Sequence, residues 1–132
     1  MHFFIPIKIV QILTNTSLAY YNDKYNTMVI IETSIFTRQI QALLSEEEYR
    51  KFQIEIILHP DKGKLIPGSG GLRKIRWASD GRGKSGGLRT IYFWAVDEEQ
   101  IFMLYIYSKK DQKDLTSDQL KVLSIIIKEE FK

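Results

Sequence analysis

The chain has 132 residues, 44% of them hydrophobic and 27% charged, proportions of a single globular domain and far from those of a disordered segment. With no cysteine and only His2 and His59, it excludes a disulfide framework and a thiolate metal site and leaves almost no means of building an imidazole one; no metal or other cofactor is expected, and a reducing cytoplasm suits it. The formal net charge of +3 is unevenly spread: Arg73, Lys74, Arg76, Arg82, Lys84 and Arg89 are set against one acid, Asp80, while the rest of the chain has two more acids than bases, a distribution expected of a protein with a polyanionic partner.

Met1–Leu13 is apolar, but Pro6, Lys8 and Gln11 interrupt it and no clear small-x-small site follows, so it reads poorly as a secretory signal. No stretch approaches the roughly 18 apolar residues that a membrane span needs. The polar Asn22–Thr27 then separates residues 1–27, read as an N-terminal extension from an upstream start site or a poorly ordered one, from a domain over residues 28–132. Val29-Ile-Ile31 predicts a short strand. Thr33 or Ser34 can cap a helix carrying Ile35, Phe36, Ile40, Leu43 and Leu44. Ser45-Glu-Glu-Glu48 has the spacing of a capping box and opens a second helix, with Tyr49, Phe52 and Ile56 on one side; His59-Pro60 and Gly63 end it. His59 is thus a helix-end residue and not a catalyst.

After the turn Pro67–Gly71, Leu72–Ala78 alternates so that Lys74 and Arg76 share one face and Ile75 and Trp77 the other. The glycine-rich Asp80–Gly87 leads to two more strands, Arg89–Val96 and Ile101–Tyr107, joined by the acidic turn Asp97–Gln100. Thr116–Gln119 is a second capping box, opening a terminal helix with Leu120, Leu123 and Ile127 as its apolar stripe. The class is therefore α+β: a small antiparallel sheet with two N-terminal helices and a C-terminal helix, all expected on one sheet face.

Standard catalytic signatures are mostly missing. Gly81-Arg-Gly-Lys-Ser85 lacks the full spacing of a phosphate loop and joins two strands instead of a strand and a helix. The carboxylates of Glu46–Glu48 and Asp97–Glu99 sit at a helix start and a hairpin turn, where structure explains them. The basic alternation remains. On an open sheet face, Lys74 and Arg76 come within reach of Arg89, and Tyr105 and Tyr107, out of phase with Phe102, Leu104 and Ile106, line the same groove. Cations beside aromatic rings suit single-stranded RNA, whose bases stack and whose phosphates pair. A solvated basic loop has the same charge, so placement must decide between them.

Gly71-Leu-Arg-Lys-Ile-Arg-Trp-Ala-Ser79, Gly81-Arg-Gly-Lys-Ser-Gly-Gly-Leu-Arg89, Ile91-Tyr-Phe93, Tyr105-Ile-Tyr-Ser-Lys-Lys110 and Asp114-Leu-Thr116, in this order and spacing, resemble the RelE/HigB toxins of type II toxin–antitoxin systems, within the RelE/ParE superfamily, from about Met28 onward. The resemblance implies a RelE-like fold and a metal-independent mRNA interferase, an endoribonuclease that cleaves messenger RNA in the ribosomal A site and inhibits translation. It also implies a cytoplasmic location, with no membrane partner, and a cognate antitoxin, a HigA-like DNA-binding protein. It places catalytic roles on Lys74, Arg76, Arg89 and Lys110; the charge and alternation of the sequence add Tyr107 to them and give RNA-binding roles to Arg73, Arg82, Lys84, Tyr105 and Lys109. Arg76 and Arg89 suit charge stabilisation on the phosphoryl group, Lys74 is the candidate base, and Tyr107 or Lys110 the proton donor. The tyrosine that some members carry near the C-terminus has no match, since Leu115 or Thr116 stands there, and this leaves the base open. The same scaffold serves ParE-like inhibitors of DNA gyrase, and a non-catalytic RNA-binding module would need the same cations.

Overall fold

A computed structural model of the chain describes residues 7–12, 28–78 and 87–132. Strands β1 (Ile7–Ile12) and β2 (Val29–Thr33) are followed by helices α1 (Ser34–Leu43) and α2 (Glu46–Leu58) and the two-residue β3 (Lys64–Leu65). Then come β4 (Arg73–Trp77), β5 (Leu88–Ala95), β6 (Gln100–Ser108) and helix α3 (Ser117–Glu130). They build the α+β fold that the sequence predicts, around one sheet of order β1-β2-β6-β5-β4-β3. After β2 the chain crosses through α1 and α2 to the far edge, and the antiparallel run β3 to β6 walks back until β6 lies parallel beside β2. The sheet is thus mostly, not wholly, antiparallel. Outside the expected elements, β1 pairs antiparallel with β2 from Ile7↔Thr33 to Ile12↔Val29.

The helix starts follow local chemistry. Thr33 Oγ1 accepts the Phe36 N–H at 3.1 Å and caps α1. Ser45 Oγ accepts the Glu48 N–H at 3.1 Å, but the Glu48 carboxylate turns to the serine hydroxyl, so only half of the expected capping box forms. At α3 both arms are present: Gln119 N–H to Thr116 Oγ1 and Thr116 N–H to Gln119 Oε1, each 3.0 Å. His59 is the exposed C-cap of α2, as predicted.

The sheet is covered on both faces, which corrects the expectation of helices on one side. Ile30, Tyr92, Ile101 and Met103 pack with Phe36, Phe52, Ile56 and other residues of α1 and α2. Their alternates Ile31, Ile91, Phe102 and Leu104 pack with Leu123, Ile126 and Ile127 of α3. Central strands with apolar residues at successive positions have no solvent face, and β6, buried without interruption from Ile101 to Leu104, is the clearest case. Ile35, expected among the buried positions of α1, is 48% exposed.

A bulge adjusts the phase of β6. Tyr92 pairs with Met103 and Ile91 with Tyr105, so Leu104 is an extra residue. Beyond it Ile106 joins the α1–α2 side, while Tyr105 and Tyr107 join Phe102 and Leu104. The predicted common face for Phe102, Leu104 and Ile106 therefore ends at the bulge. Its backbone groups are paired: Thr33 Oγ1 donates to the Leu104 carbonyl at 2.8 Å and Ile106 N–H donates to Gln39 Oε1 at 2.9 Å. Among the described residues, no helix is long and apolar enough to cross a membrane.

Candidate active site

The α3 side of the sheet is apolar around β2 and β6 and turns basic towards β4 and β3. The register sets the residues in rows: Arg76 lies opposite Arg89, and Arg89 opposite Tyr107. One row away, Lys64 lies opposite Lys74, Lys74 opposite Ile91, and Ile91 opposite Tyr105. Four cations from three strands thus occupy one corner of one face, as alternation predicts for Lys74, Arg76 and Arg89. Lys62, Lys64, Lys74, Arg76 and Arg89, with Ile75, line a groove of about 350 Å³.

The two arginines converge over Gly87. A Cβ at that position would lie 3.0 Å from Arg89 Nη1 and 3.1 Å from Arg76 Nε. Arg89 Nη1 also donates to the Leu88 carbonyl at 3.4 Å, which draws the guanidinium back along its own strand. Two guanidinium groups so placed bring donors from neighbouring strands to one point above Gly87. Planar guanidinium forks match a phosphate in particular.

Lys74 is 36% exposed and directed across the sheet to Asp114, its Nζ 3.2 Å from Oδ1. The same oxygen accepts the Leu115 N–H at 2.8 Å and the Tyr107 hydroxyl at 3.4 Å. The Leu115 amide, then Lys74, hold the Asp114 carboxyl below the usual carboxylate range. Burial, then the Asp114 charge, push the Tyr107 phenol up, so at neutral pH it is a proton carrier.

The other predicted residues are placed as follows. Tyr105 is half-buried; its hydroxyl meets Gln112 Oε1 at 3.5 Å and accepts from Gln119 Nε2 at 3.2 Å, which fastens the turn after β6 to the start of α3. Its ring lies 6.2 Å from that of Tyr107. Arg73 alternates onto the α2 side, where Nη1 donates to the carbonyls of Gly63 at 2.8 Å and Asp61 at 3.1 Å; it braces the approach to β3 and stands outside the basic row. Lys109 and Lys110 are exposed in the turn after β6, and the Lys109 amide donates to the Gly87 carbonyl at 3.1 Å, next to the arginine pair. Arg82 and Lys84 lie outside the described residues.

Sequence reasoning missed Lys62, Lys64, Gly87 and Asp114. Lys64 meets Lys74 through a two-residue strand, too short for any periodicity, and Asp114 reads as a solvated loop residue ahead of a capping box. Among the described residues no group of three or more His, Asp or Glu side chains gathers to hold a metal ion.

A family model described as the RelE toxin of the RelE/RelB toxin–antitoxin system matches residues 33–132. Among solved structures, free E. coli toxin RelE with two arginines replaced by alanine is similar in fold, with a TM-score of 0.50 and 14% sequence identity, over 73% of this chain and 92% of that one.

Proposed function

The chain belongs to the RelE toxin family of toxin–antitoxin systems, with an antitoxin as partner, and from this premise we propose that it is an endoribonuclease that cleaves messenger RNA in the ribosomal A site of the cytoplasm. The observation that carries the reading is the row Arg76–Arg89–Tyr107, with both guanidinium groups converging over Gly87 and Lys74 beside them. Such a row suits a phosphodiester.

In the proposed reaction the RNA 2′-hydroxyl attacks the adjacent phosphorus and the 5′-oxygen leaves, giving a cyclic phosphate or its opened product. Arg76 and Arg89 hold the phosphoryl oxygens as negative charge grows on them. Groups aimed at developing charge contribute about 10²–10³-fold each. Tyr107, kept protonated by burial and by Asp114, supplies a proton to the leaving oxygen, with Lys110 in the turn after β6 as the other donor. Lys74, Lys64, Lys109 and, in the glycine-rich segment, Arg82 and Lys84 guide the RNA backbone. The chain's side chains perform this chemistry without a metal ion. No histidine joins this set, and a site built on weak acids and bases gains from a ribosome that aligns the RNA. The cognate antitoxin is a HigA-like DNA-binding protein in this reading.

The test is a translation reaction with ribosomes and a defined messenger, read by primer extension, comparing the chain with Arg89→Ala. Discrete in-frame cuts that require ribosomes and fall by about 10²-fold or more in the variant support the proposal. An intact messenger with full translation overturns it and points to gyrase. An intact messenger with stalled translation leaves only a binding role.

A further inference from the structure

The proposed cleavage needs a group that takes the proton from the attacking 2′-hydroxyl, and the cations of the basic corner are ill-suited to it. Arg76 and Arg89 present guanidinium groups, which donate hydrogen bonds and have no acceptor atom. Tyr107 holds its proton more tightly than a free phenol. Lys74 enters its one described polar contact as a donor, 3.2 Å from a carboxylate. What that contact supplies is the acceptor. Resting on the nuclease reading above, we infer that Asp114 is the general base of this site.

Three observations place it there. Asp114 Oδ1 is the point on which donors from separate parts of the chain converge: Nζ of Lys74 from β4, the hydroxyl of Tyr107 from β6, and the Leu115 amide that follows it. These contacts orient the carboxylate, although its side chain is 66% exposed and so accessible to a substrate. Tyr107, to which it is bonded, lies directly opposite Arg89 in the row that holds the phosphate. Finally, the basic groove and a second groove of about 390 Å³, bordered by Asp114, Leu115 and Leu120, share Lys64 and Lys74 as a common wall. A strand of RNA passing over that wall has phosphate on the arginine side and its neighbouring ribose towards Asp114.

The step balances without a further reactant. Asp114 takes the 2′-hydroxyl proton as the bond from the 2′-oxygen to phosphorus forms; the bond to the 5′-oxygen breaks and that oxygen takes a proton from Tyr107. The acid left on Asp114 and the phenolate left on Tyr107 are already hydrogen-bonded partners, so one proton returning along that contact restores the site. Lys74 is then a positioning residue that holds the carboxylate and steadies its charge, in place of the base role that its neighbouring cations first suggest. Among the described residues, the charged and titratable groups facing Asp114 are Lys74 from β4, Tyr107 from β6 and, across the second groove, Lys64 from β3.

The test is ribosome-dependent cleavage by the full chain at saturating messenger, between pH 6 and 8, for Asp114→Asn and Asp114→His, with binding of a 2′-deoxy-substituted, uncleavable oligonucleotide measured beside it. Asp114→Asn is expected to lose about 10²–10⁴-fold in rate while binding the oligonucleotide within about threefold of the parent. Asp114→His is expected to recover part of the rate and to acquire a fall in rate below about pH 6.5, where imidazole takes up a proton, which the parent does not show. Asp114→Asn cleaving within about threefold of the parent overturns the inference, as does an Asp114→His profile with no acid limb. Binding lost in step with cleavage overturns it too, since Asp114 then only holds Lys74 in place. If the parent chain itself makes no cut, the nuclease reading fails and takes this inference with it, an outcome distinct from the others.

Discussion

The two faces of β4 and β5 are made by the same residues in alternation and do opposite work. Towards α1 and α2 they present Ile75, Trp77, Leu88 and Tyr92, which close a core with Phe36, Phe52 and Ile56. Towards the other side, one residue away in each case, they present Lys74, Arg76 and Arg89, with α3 covering only the part of that face nearer β2 and β6. Where β4 meets the start of β5, the apolar packing lies on one side and, Arg73 apart, the charge on the other. A strand fixed from behind by buried residues can hold like charges together in front, because its backbone does not relax to separate them.

The largest effect expected from breaking this comparison is on the apolar side. Phe52→Ala should destabilise the fold by about 3–5 kcal/mol, since the ring is fully buried and lies against Trp77 at 5.0 Å; urea denaturation measures it. The double substitution Arg76→Ala with Arg89→Ala should cost about 1 kcal/mol or less by the same measurement, because neither side chain belongs to the buried apolar core. The division of labour between the faces is wrong if the arginine variant unfolds as readily as the phenylalanine one.

Tyr92 joins the two sides and sharpens the comparison. Fully buried on the α1–α2 face, it donates to the Pro60 carbonyl at 2.8 Å and accepts the Gly63 N–H at 2.9 Å, which fixes the segment that carries Lys62 and Lys64 into the basic groove. Gly63 has no room for a side chain there, since a Cβ would sit 2.7 Å from the tyrosine ring. Tyr92→Phe should cost about 1–3 kcal/mol through the unpaired amide and carbonyl. Burial first of all raises the Tyr92 phenol. The folded state therefore keeps a proton that the unfolded chain releases, and this contribution is complete below the ordinary tyrosine value of 10.0 and is lost as pH rises through the higher folded value. Urea midpoints from pH 9 upward should fall less steeply for Tyr92→Phe than for the parent.

Much of this was legible in the sequence, for identifiable reasons. Alternation from Leu72 to Trp77 put Lys74 and Arg76 on one face because each strand residue has only two directions available. Thr33, Ser45 and Thr116 marked the helix starts because a free amide needs a nearby side-chain oxygen. The placement of α3 was not legible, since an apolar stripe on a helix says that it packs but not on which side of a sheet. The bulge at Leu104 escaped notice as well; its cost is met by Thr33 and Gln39, remote in sequence, and without it Tyr107 and Arg89 would not share a face. The contact between Lys74 and Asp114 spans 40 residues and depends on both the register of β4 and the turn after β6.

The smallest expected effect tests how closely the charged side is set. Gly87 precedes β5 with no left-handed backbone that would demand glycine, so the fold itself tolerates a side chain there. What an added methyl meets is the far end of two long side chains, Arg89 Nη1 at 3.0 Å and Arg76 Nε at 3.1 Å, and both can yield by a few tenths of an ångström. Gly87→Ala should therefore leave the unfolding free energy from urea denaturation within about 0.5 kcal/mol of the parent. Cleavage should fall by about threefold to tenfold, because displaced donors meet the transition-state charge less well. A parental rate would mean that the guanidinium groups find their phosphate by adapting to it, and a loss as large as that of Arg89→Ala would mean that the glycine, through the space it leaves open, fixes the position of the arginine pair.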